Sequence, residues 1–361
     1  MKYTVETNML KEAINKVAKG LPKKPSLPIL KSLCITFDKQ IFIKATDLEI
    51  YITSIISPLS SENNEVKDVI ISDTKGLMKS LKYFKEDRTF ISIDKDIINF
   101  TCGKKTLRQK IKDDDYPKFP ISDYDYKYKY NMRDLKTRFN KVKYAVGKTA
   151  PRPVLNTIHF NENDIVTLDG ARIASNTNTD LLIKQSFSLI PEHLKLCCDI
   201  LDGNINIYNC KKYTGFTSED NNITIYCRNV DGDYFDYKRL FEEKGSDVKL
   251  NKDNFIENLD FINSSCEDKK FITVWKDNYI CNFSSTSQNI TQIDAANILN
   301  NPIGFNGKYM TEALKQFDCD DIEINLSTSK SPILIKGRED CNNKALLLPY
   351  RIDDFVFPDV A

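Results

Sequence analysis

An apolar spacing that recurs three times is the feature that most constrains the fold of this chain. Three segments each place apolar residues at positions i, i+4 and i+7, which lie on one face of an α-helix. These residues are Leu10, Ile14 and Val17, then Leu135, Phe139 and Val142, and finally Phe255, Leu259 and Ile262. The copies start 125 and 120 residues apart. The spacing therefore predicts three similar units rather than one continuous core.

A second apolar pattern repeats in phase with the first. Its residues are Leu77, Leu81 and Phe84, then Leu194, Cys198 and Leu201, and then Met310, Leu314 and Phe317. The sequence between the helices consists of short β-like runs broken by polar turns, such as ITVW and IEINLS. We therefore predict an α+β fold with three repeated domains, each with two helices packed on antiparallel sheets. The predicted domains are residues 1–123, 124–244 and 245–361, the last with a tail at 353–361.

Composition indicates a folded protein with a reduced interior. The chain has 361 residues, 41% of them hydrophobic and 29% charged, which is enough to form a sizeable core. Its ten cysteines form no CxxC pair, so we expect buried thiols rather than a disulfide framework. The charged first 25 residues do not resemble a secretory signal, and no apolar run is long enough to span a membrane. We expect a cytoplasmic protein.

The distribution of charge is more informative than the total. The chain holds 52 basic and 51 acidic side chains, a formal net charge of +1. Residues 1–24, 74–88 and 131–152 carry +4, +3 and +6, so the rest of the chain carries −12. A helix face that is simply exposed to water often carries such an excess of basic residues. Here, however, the positive charge is concentrated on the helices of a repeated architecture, which favours contact with phosphates without base reading.

Short motifs along the chain carry a family resemblance. KKPSLPIL at 23–30, followed by ATDLEI at 45–50, resembles the first domain of the bacterial DNA polymerase III beta subunit family, the replicative sliding clamps. Further matches follow in the same order as in that family. They are YPKFP at 116–120, RPVLNTIHF at 152–160, LDGARIA at 168–174, DGDYFDYKRL at 231–240 and LLLPYRI at 346–352.

The resemblance implies a noncatalytic processivity factor. It implies a head-to-tail homodimer in which six domains close into a ring around double-stranded DNA, with helices lining the hole. The implied partners are the replicative DNA polymerase catalytic subunit, a clamp loader and other proteins with clamp-binding peptides. No cofactor, no metal and no membrane is implied.

The resemblance also implies two sets of site residues. A pocket for partner peptides would contain Leu155, Gly170, Arg172, Ile173, Phe235, Arg239, Leu240, Leu346, Leu348, Pro349, Tyr350 and Arg351. DNA would be contacted from two turns and one helix, through Lys23, Lys24, Lys148, Thr149 and Arg152 and, more weakly, Lys136, Lys141 and Lys143. An apolar groove with arginine beside it suits a peptide with apolar anchors and an acidic flank.

Two alternatives remain open at the level of sequence. Gly147-Lys148-Thr149 resembles part of a phosphate-binding loop and would suit a DNA-binding nucleotide enzyme, as would the Gly103-Lys104 pair. However, Val142 stands where such a loop needs its first glycine, which argues against this alternative. The other alternative is a clamp-like scaffold that binds peptides without closing a ring.

The C-terminal tail suggests a separate hypothesis. Asp353 and Asp354 precede the apolar Phe355, Val356 and Phe357, so the tail has the acidic and aromatic character of a peptide that the pocket would accept. Attachment beside the pocket would give the tail a high effective concentration there. We therefore hypothesise that the tail folds back over the groove formed by Leu155, Ile173, Leu240 and Tyr350. The alternative is a disordered tail, since chain ends usually fray.

Overall fold

The structure is a computed structural model that describes residues 1–62, 65–120, 124–242, 245–264, 271–282, 288–295 and 302–352. The chain forms two compact units. One consists of Met1–Lys136 and Glu192–Asn229, and the other of Thr137–Pro191 and Val230–Ala361. Within the described ranges, every helix is too short or too polar to cross a membrane. The tail at 353–361, and with it the fold-back hypothesis, lies outside the described residues.

The described residues form six α-helices, at the positions that the two repeated patterns predict. They are α1 (Thr7–Ala18), α2 (Thr74–Leu81), α3 (Met132–Val142), α4 (Pro191–Ile200), α5 (Lys252–Asn263) and α6 (Gly307–Leu314). All eighteen apolar residues of the patterns are buried. Short 3-10 helices cover Pro28–Lys31, Lys143–Ala145, Pro153–Asn156 and Lys238–Phe241.

Side-chain caps fix where three of these helices begin. Asp73 accepts a hydrogen bond from the Gly76 amide at the start of α2. Asn251 and Asn306 do the same at α5 and α6. Each cap satisfies one of the amides that the first turn of a helix leaves without a partner.

The described strands are numbered along the chain. The first thirteen are β1 (Lys2–Glu6), β2 (Leu33–Phe37), β3 (Ile41–Thr46), β4 (Ile50–Ile56), β5 (Ser60–Glu62), β6 (Lys67–Ile71), β7 (Arg88–Asp94), β8 (Ile97–Cys102), β9 (Lys105–Lys112), β10 (Tyr126–Asn131), β11 (Ile158–Glu162), β12 (Asp164–Leu168) and β13 (Arg172–Thr177). The others are β14 (Ile183–Leu189), β15 (Asn204–Asn209), β16 (Tyr213–Ser218), β17 (Ile223–Arg228), β18 (Ser246–Asn251), β19 (Ile272–Lys276), β20 (Tyr279–Asn282), β21 (Ile290–Gln292), β22 (Ile303–Asn306), β23 (Asp321–Leu326), β24 (Ile333–Gly337) and β25 (Asn343–Leu347).

The sheets of each unit are antiparallel throughout the described residues. In the first unit the strand order is β10-β15-β16-β17-β4-β3-β2-β6-β9-β8-β7-β1-β5. The second unit holds β14-β11-β12-β13-β25-β24-β23-β18 and a smaller sheet, β21-β20-β19-β22. Helices packed on antiparallel sheets confirm the predicted α+β class.

Two strand pairs join segments that the sequence assigned to different domains. In the first unit β17 pairs with β4, with Ile225 opposite Ile52. In the second unit β13 pairs with β25, with Ala174 opposite Ala345. These pairings explain why the middle of the chain divides between the two compact units. The division into three domains near residues 123 and 245 stays a prediction.

The repeated apolar stripe should carry much of the stability of the second unit. Leu259 on α5 is fully buried in a cluster with Trp275, Phe305 and Leu314. Leu259→Ala should lower the free energy of unfolding by about 2–5 kcal/mol, because it removes buried methyl groups and leaves a cavity. Urea unfolding followed by Trp275 fluorescence measures this. Glu257→Ala, at an exposed position on the same helix, is the control and should change stability by less than about 0.5 kcal/mol.

Candidate functional site

A cavity of about 1030 Å³ opens in the second unit, and Leu155, Gly170 and Arg172 of the predicted pocket lie in its wall. It is lined by the segment after α3, by the loop between β12 and β13, and by residues at the start of α6. The lining residues are Tyr144, Val146, Gly147, Lys148, Thr149, Ala150, Pro151, Leu155, Asp169, Gly170, Ala171, Arg172, Phe271, Asn306, Lys308, Tyr309 and Glu312. Cavities of this size accommodate small ligands or the side chains of a peptide.

An apolar cluster adjoins the cavity and brings together four of the predicted pocket residues. Ile173 and Leu346 are buried in it, and Leu155 and Leu240 pack against it half-buried. Val166, Leu168, Tyr234, Tyr237 and Phe241 complete the cluster. Leu155 belongs both to this cluster and to the cavity wall. Leu155 therefore connects the apolar cluster to the cavity.

Arg172 is a buried charged residue of the cavity wall. Its side chain is only 9% exposed and makes ion pairs with Asp169, at 2.9 Å, and with Glu312. It also donates to the Tyr144 carbonyl at 2.7 Å, and its guanidinium lies 4.0 Å from the centroid of the Tyr309 ring. Burial alone would lower the pKa of Arg172, but the hydrogen bonds and charges of Glu312 and Asp169 raise that pKa above its usual value. The buried cation is thus fully compensated.

The loop that carries Arg172 is held in a tight turn. The Asp169 carboxylate accepts hydrogen bonds from the amides of Ala171, at 3.0 Å, and Arg172, at 3.1 Å. Gly170 has a φ of +89°, a conformation that favours glycine. The Leu348 amide donates to the Ala171 carbonyl at 2.8 Å, so the end of β25 is tied directly to this loop.

The remaining predicted pocket residues are more exposed. Leu348 and Tyr350 follow β25 and are 45% and 47% exposed. The Tyr350 amide donates to the Gly304 carbonyl at 2.6 Å, which fixes the backbone next to β22. The others are Phe235 and Arg351, which are exposed, Pro349, which is half-buried, and Arg239, which is exposed and pairs with Asp236 at 3.2 Å.

The sequence did not identify several residues that complete the cavity. Tyr144, Tyr309 and Glu312 surround Arg172, and Lys308 lies with its amine 5.4 Å from the centroid of the Phe271 ring. Asp169 could have been identified from the sequence, because it stands next to Gly170 in the motif LDGARIA. No sequence motif indicated the residues on α6, since only the tertiary fold brings them to the cavity.

In the first unit, the lysines predicted to contact DNA are exposed. Lys23 and Lys24 lie in the turn after α1, and Lys136 lies on α3. Lys23 also lines a cavity of about 600 Å³ with Lys31 and Lys75. These side chains present positive charge to solvent.

In the second unit, the predicted DNA contacts differ in availability. Lys143, Lys148, Thr149 and Arg152 are exposed. Lys141 is only 15% exposed, and its amine bonds the Gln316 carbonyl and the Asp318 carboxylate, both at 2.5 Å. The charge of Lys141 is therefore already compensated within the unit.

Neither glycine-lysine pair has the form of a phosphate-binding loop. The Gly147 amide donates to the Leu168 carbonyl at 3.1 Å, and the next helical element is the short 3-10 helix Pro153–Asn156. Gly103, with a φ of +57°, forms the tight turn between β8 and β9. A phosphate cradle needs free loop amides and an α-helix directly after them, so the geometry does not favour the nucleotide enzyme.

His159 is buried beside the apolar cluster. Its ring stacks on Tyr234 with the centroids 4.1 Å apart, and its Nδ1 lies 2.9 Å from the Ser188 hydroxyl. Burial lowers the pKa of His159 from 6.5 to about 4. The imidazole is therefore neutral at physiological pH.

Comparisons with known proteins identify the family. The model described as "DNA polymerase III beta subunit, N-terminal domain" matches residues 1–120, and the corresponding C-terminal domain model matches residues 283–351. The beta sliding clamp of Staphylococcus epidermidis is 24% identical over 381 residues, covering 97% of this chain and 99% of that protein.

Solved structures share the fold along almost the whole chain. The DNA polymerase III subunit beta of Pseudomonas aeruginosa superposes with a TM-score of 0.83 at 18% identity, covering 97% of this chain and all of that one. The DNA polymerase sliding clamp of Bacillus subtilis gives a TM-score of 0.81 at 20% identity, covering 98% and 99%. The two family models together match more than half of the sequence. The chain belongs to the DNA polymerase III beta subunit family, and the resemblance read from its motifs is confirmed.

The buried imidazole predicts an acid-sensitive second unit. Between about pH 6.5 and 4 the unfolded state binds a proton at His159 that the folded state does not, so stability should fall as pH decreases through this window. The shift corresponds to about 3 kcal/mol at most. Urea unfolding at pH 7 and at pH 4.5 measures the loss. His159→Gln should lose less stability than wild type over this range, and an equal loss in both proteins would contradict the assignment.

Proposed function

We propose that this protein is a DNA sliding clamp, a noncatalytic processivity factor that encircles duplex DNA and tethers a replicative polymerase. Membership of the DNA polymerase III beta subunit family is the observation that carries the proposal. The exposed lysines of two turns, Lys23 with Lys24 and Lys148, support it because they offer sequence-independent contacts to phosphate. Weak, salt-dependent contacts of this kind hold DNA without fixing the protein at one sequence.

The proposal includes a head-to-tail homodimer. A contact between unlike surfaces of two copies closes into a ring when the rotation between the copies is correct. Three domains from each chain would then surround the DNA. A clamp loader would open this ring, and the ring would retain DNA by topology rather than by affinity.

Partner proteins would bind at the cavity of the second unit. Leu155 and the apolar cluster offer a surface for aliphatic or aromatic anchors. Lys148 and Lys308 are exposed at the same cavity and would attract an acidic flank of the peptide. The polymerase and the clamp loader are the proposed carriers of such peptides. Binding at this site would raise the effective concentration of the polymerase at its template.

Retention on circular DNA tests the proposal directly. The protein, loaded with its cognate loader and ATP, should remain on nicked circular plasmid during gel filtration and dissociate once the plasmid is cut. Dissociation from both forms alike would favour the scaffold without ring closure. ATP turnover by the clamp alone, abolished by Lys148→Ala, would favour the nucleotide enzyme.

Loss of the turn lysines should weaken DNA contact without unfolding the protein. The double variant Lys24→Glu/Lys148→Glu should load poorly onto circular DNA, because it replaces two exposed cations with anions. The dependence of log K on log salt should also become shallower by about 1 for each lost phosphate contact. Equilibrium binding to duplex DNA at 50 to 200 mM salt measures this.

A matched charge change serves as the control for the lysine variant. Lys39→Glu/Lys330→Glu alters the net charge by the same amount at exposed positions that are not predicted to contact DNA. This variant should load almost as wild type does. Equal loss of loading in both double variants would mean that total charge, rather than these two turns, governs DNA contact.

The exposed Tyr350 of the predicted pocket should be an anchor for partner peptides. Tyr350→Ala should weaken binding of a peptide with leucine and phenylalanine anchors and an acidic flank by about thirtyfold, the equivalent of about 2 kcal/mol. Calorimetry measures the affinity. Tyr83→Ala removes a tyrosine that is 67% exposed in the first unit and should leave the affinity unchanged. Full polymerase stimulation by the Tyr350 variant would show that the pocket is misplaced.

A further inference from the structure

One end of the large sheet in the first unit has two chemically different faces. Alternate residues of a strand point to opposite faces. Ile205 and Ile207 on β15, Phe216 on β16 and Ile225 on β17 are buried. The opposite face carries Tyr208 on β15 and Tyr226 on β17, both half-buried, and Lys127 on β10, which is exposed. This second face therefore combines aromatic and cationic side chains at the sheet surface.

The strand register places these side chains in one row across four strands. Lys127 lies opposite Tyr208, Tyr208 opposite Gly215, and Gly215 opposite Tyr226. A Cβ at Gly215 would lie 2.7 Å from a ring carbon of Tyr226. The Tyr226 ring therefore lies across the backbone of β16, in space that only a glycine leaves free. The tyrosines of this row therefore belong to one aromatic surface along the sheet and are not isolated side chains.

A third tyrosine extends the aromatic surface beyond the end of the row. The rings of Tyr124 and Tyr208 are 4.7 Å apart at an angle of 53°. Tyr124 is 47% exposed, and the amide of Asp125 donates to the Asn209 carbonyl at 3.0 Å, which holds this segment against β15. The Lys127 amine lies 5.2 Å from the centroid of the Tyr208 ring. The Tyr208 ring therefore contacts both an aromatic ring and a cation.

Four exposed lysines lie on β10 and on the turn that follows β15. Lys127 and Lys129 alternate along β10, and Lys211 and Lys212 form the turn between β15 and β16. Asp125 is an acidic residue directly before β10, and Glu49, at the β17 side, is paired with Arg228 at 3.0 Å. The local charge is therefore positive, although the chain as a whole is nearly neutral.

Contacts between aromatic rings stabilise a fold, and such stabilisation accounts for the contact between Tyr124 and Tyr208. It does not account for the four exposed lysines on β10 and the adjoining β15–β16 turn, since positive charges on neighbouring segments repel one another. A ligand that supplies both phosphates and flat rings satisfies both features. Single-stranded nucleic acid does so, because its bases are free to stack on aromatic side chains. The bases of a duplex already stack on one another.

We propose that the tyrosine–lysine face, formed by Tyr124, Lys127, Lys129, Tyr208, Lys211, Lys212 and Tyr226, binds single-stranded DNA. The bases stack on the tyrosines and the lysines neutralise the phosphates. Binding is independent of base sequence, because every base has a flat face that can stack on a tyrosine ring. The proposal goes beyond the clamp function, since it uses none of the residues assigned to duplex DNA or to partner peptides.

Binding of fluorescein-labelled dT20 to the full chain tests the proposal. Fluorescence anisotropy at 50 mM salt should show binding that weakens at least fivefold in Tyr124→Leu and in Tyr208→Leu, since leucine keeps the apolar volume but removes the stacking surface. Lys127→Gln/Lys212→Gln should make the salt dependence shallower by about 0.7 for each lost phosphate contact. Urea unfolding checks each variant, and the exposed Tyr124 can be replaced without loss of core packing.

Control variants separate this surface from the proposed duplex contacts. Tyr83→Leu, at an exposed tyrosine elsewhere in the first unit, should bind dT20 as wild type does. Lys24→Glu/Lys148→Glu should also keep dT20 binding, even where it impairs loading onto duplex DNA. Absence of dT20 binding by the wild type, or wild-type affinity in both leucine variants, would overturn the proposal. Displacement of dT20 by polyglutamate as effectively as by unlabelled dT20 would also overturn it, because charge alone would then explain binding.

Discussion

Antiparallel pairing between strands that are far apart in sequence is the constraint on which the rest of the structure depends. β4 pairs with β17 in the first unit, and β13 pairs with β25 in the second. Each pair removes two strand edges whose free amide and carbonyl groups would otherwise invite association. The second pair also sets the candidate site, because it brings the end of β25 to the turn at residues 169–172, where the Leu348 amide bonds the Ala171 carbonyl.

The shape of the cavity depends on the buried guanidinium of Arg172, whose charge is balanced by two carboxylates. A guanidinium out of water is costly unless charges and hydrogen bonds replace its hydration. Asp169, three residues away, and Glu312 on α6 provide them for Arg172. Removing either carboxylate would leave a buried charge with one partner fewer. The ion pairs therefore hold the β12–β13 turn against α6, so that the cavity wall is shaped before any peptide binds.

The alternation of residues along the strands gives the first unit both its core and its surfaces. One face of β15 to β17 is apolar, as Ile207, Phe216 and Ile225 show, and it is buried. The other face carries Tyr208 and Tyr226, with Gly215 between them. Because the two faces have different neighbours, the exposed one can have a chemistry unrelated to packing. A nearly neutral chain can therefore present strongly basic surfaces at particular places.

The sequence by itself determined the helices, the α+β class and the family, because these depend on local spacing and short motifs. It also named Leu155, Ile173, Leu240 and Leu346 as one group, and the structure places these four residues in one apolar cluster. Their role as a pocket for partner peptides stays a prediction. Only the tertiary structure decided which charged groups remain available. Lys141 is compensated by Asp318, which is 177 residues away. A helical pattern records its own neighbours along the chain, whereas such ion pairs depend on which distant elements become neighbours in space.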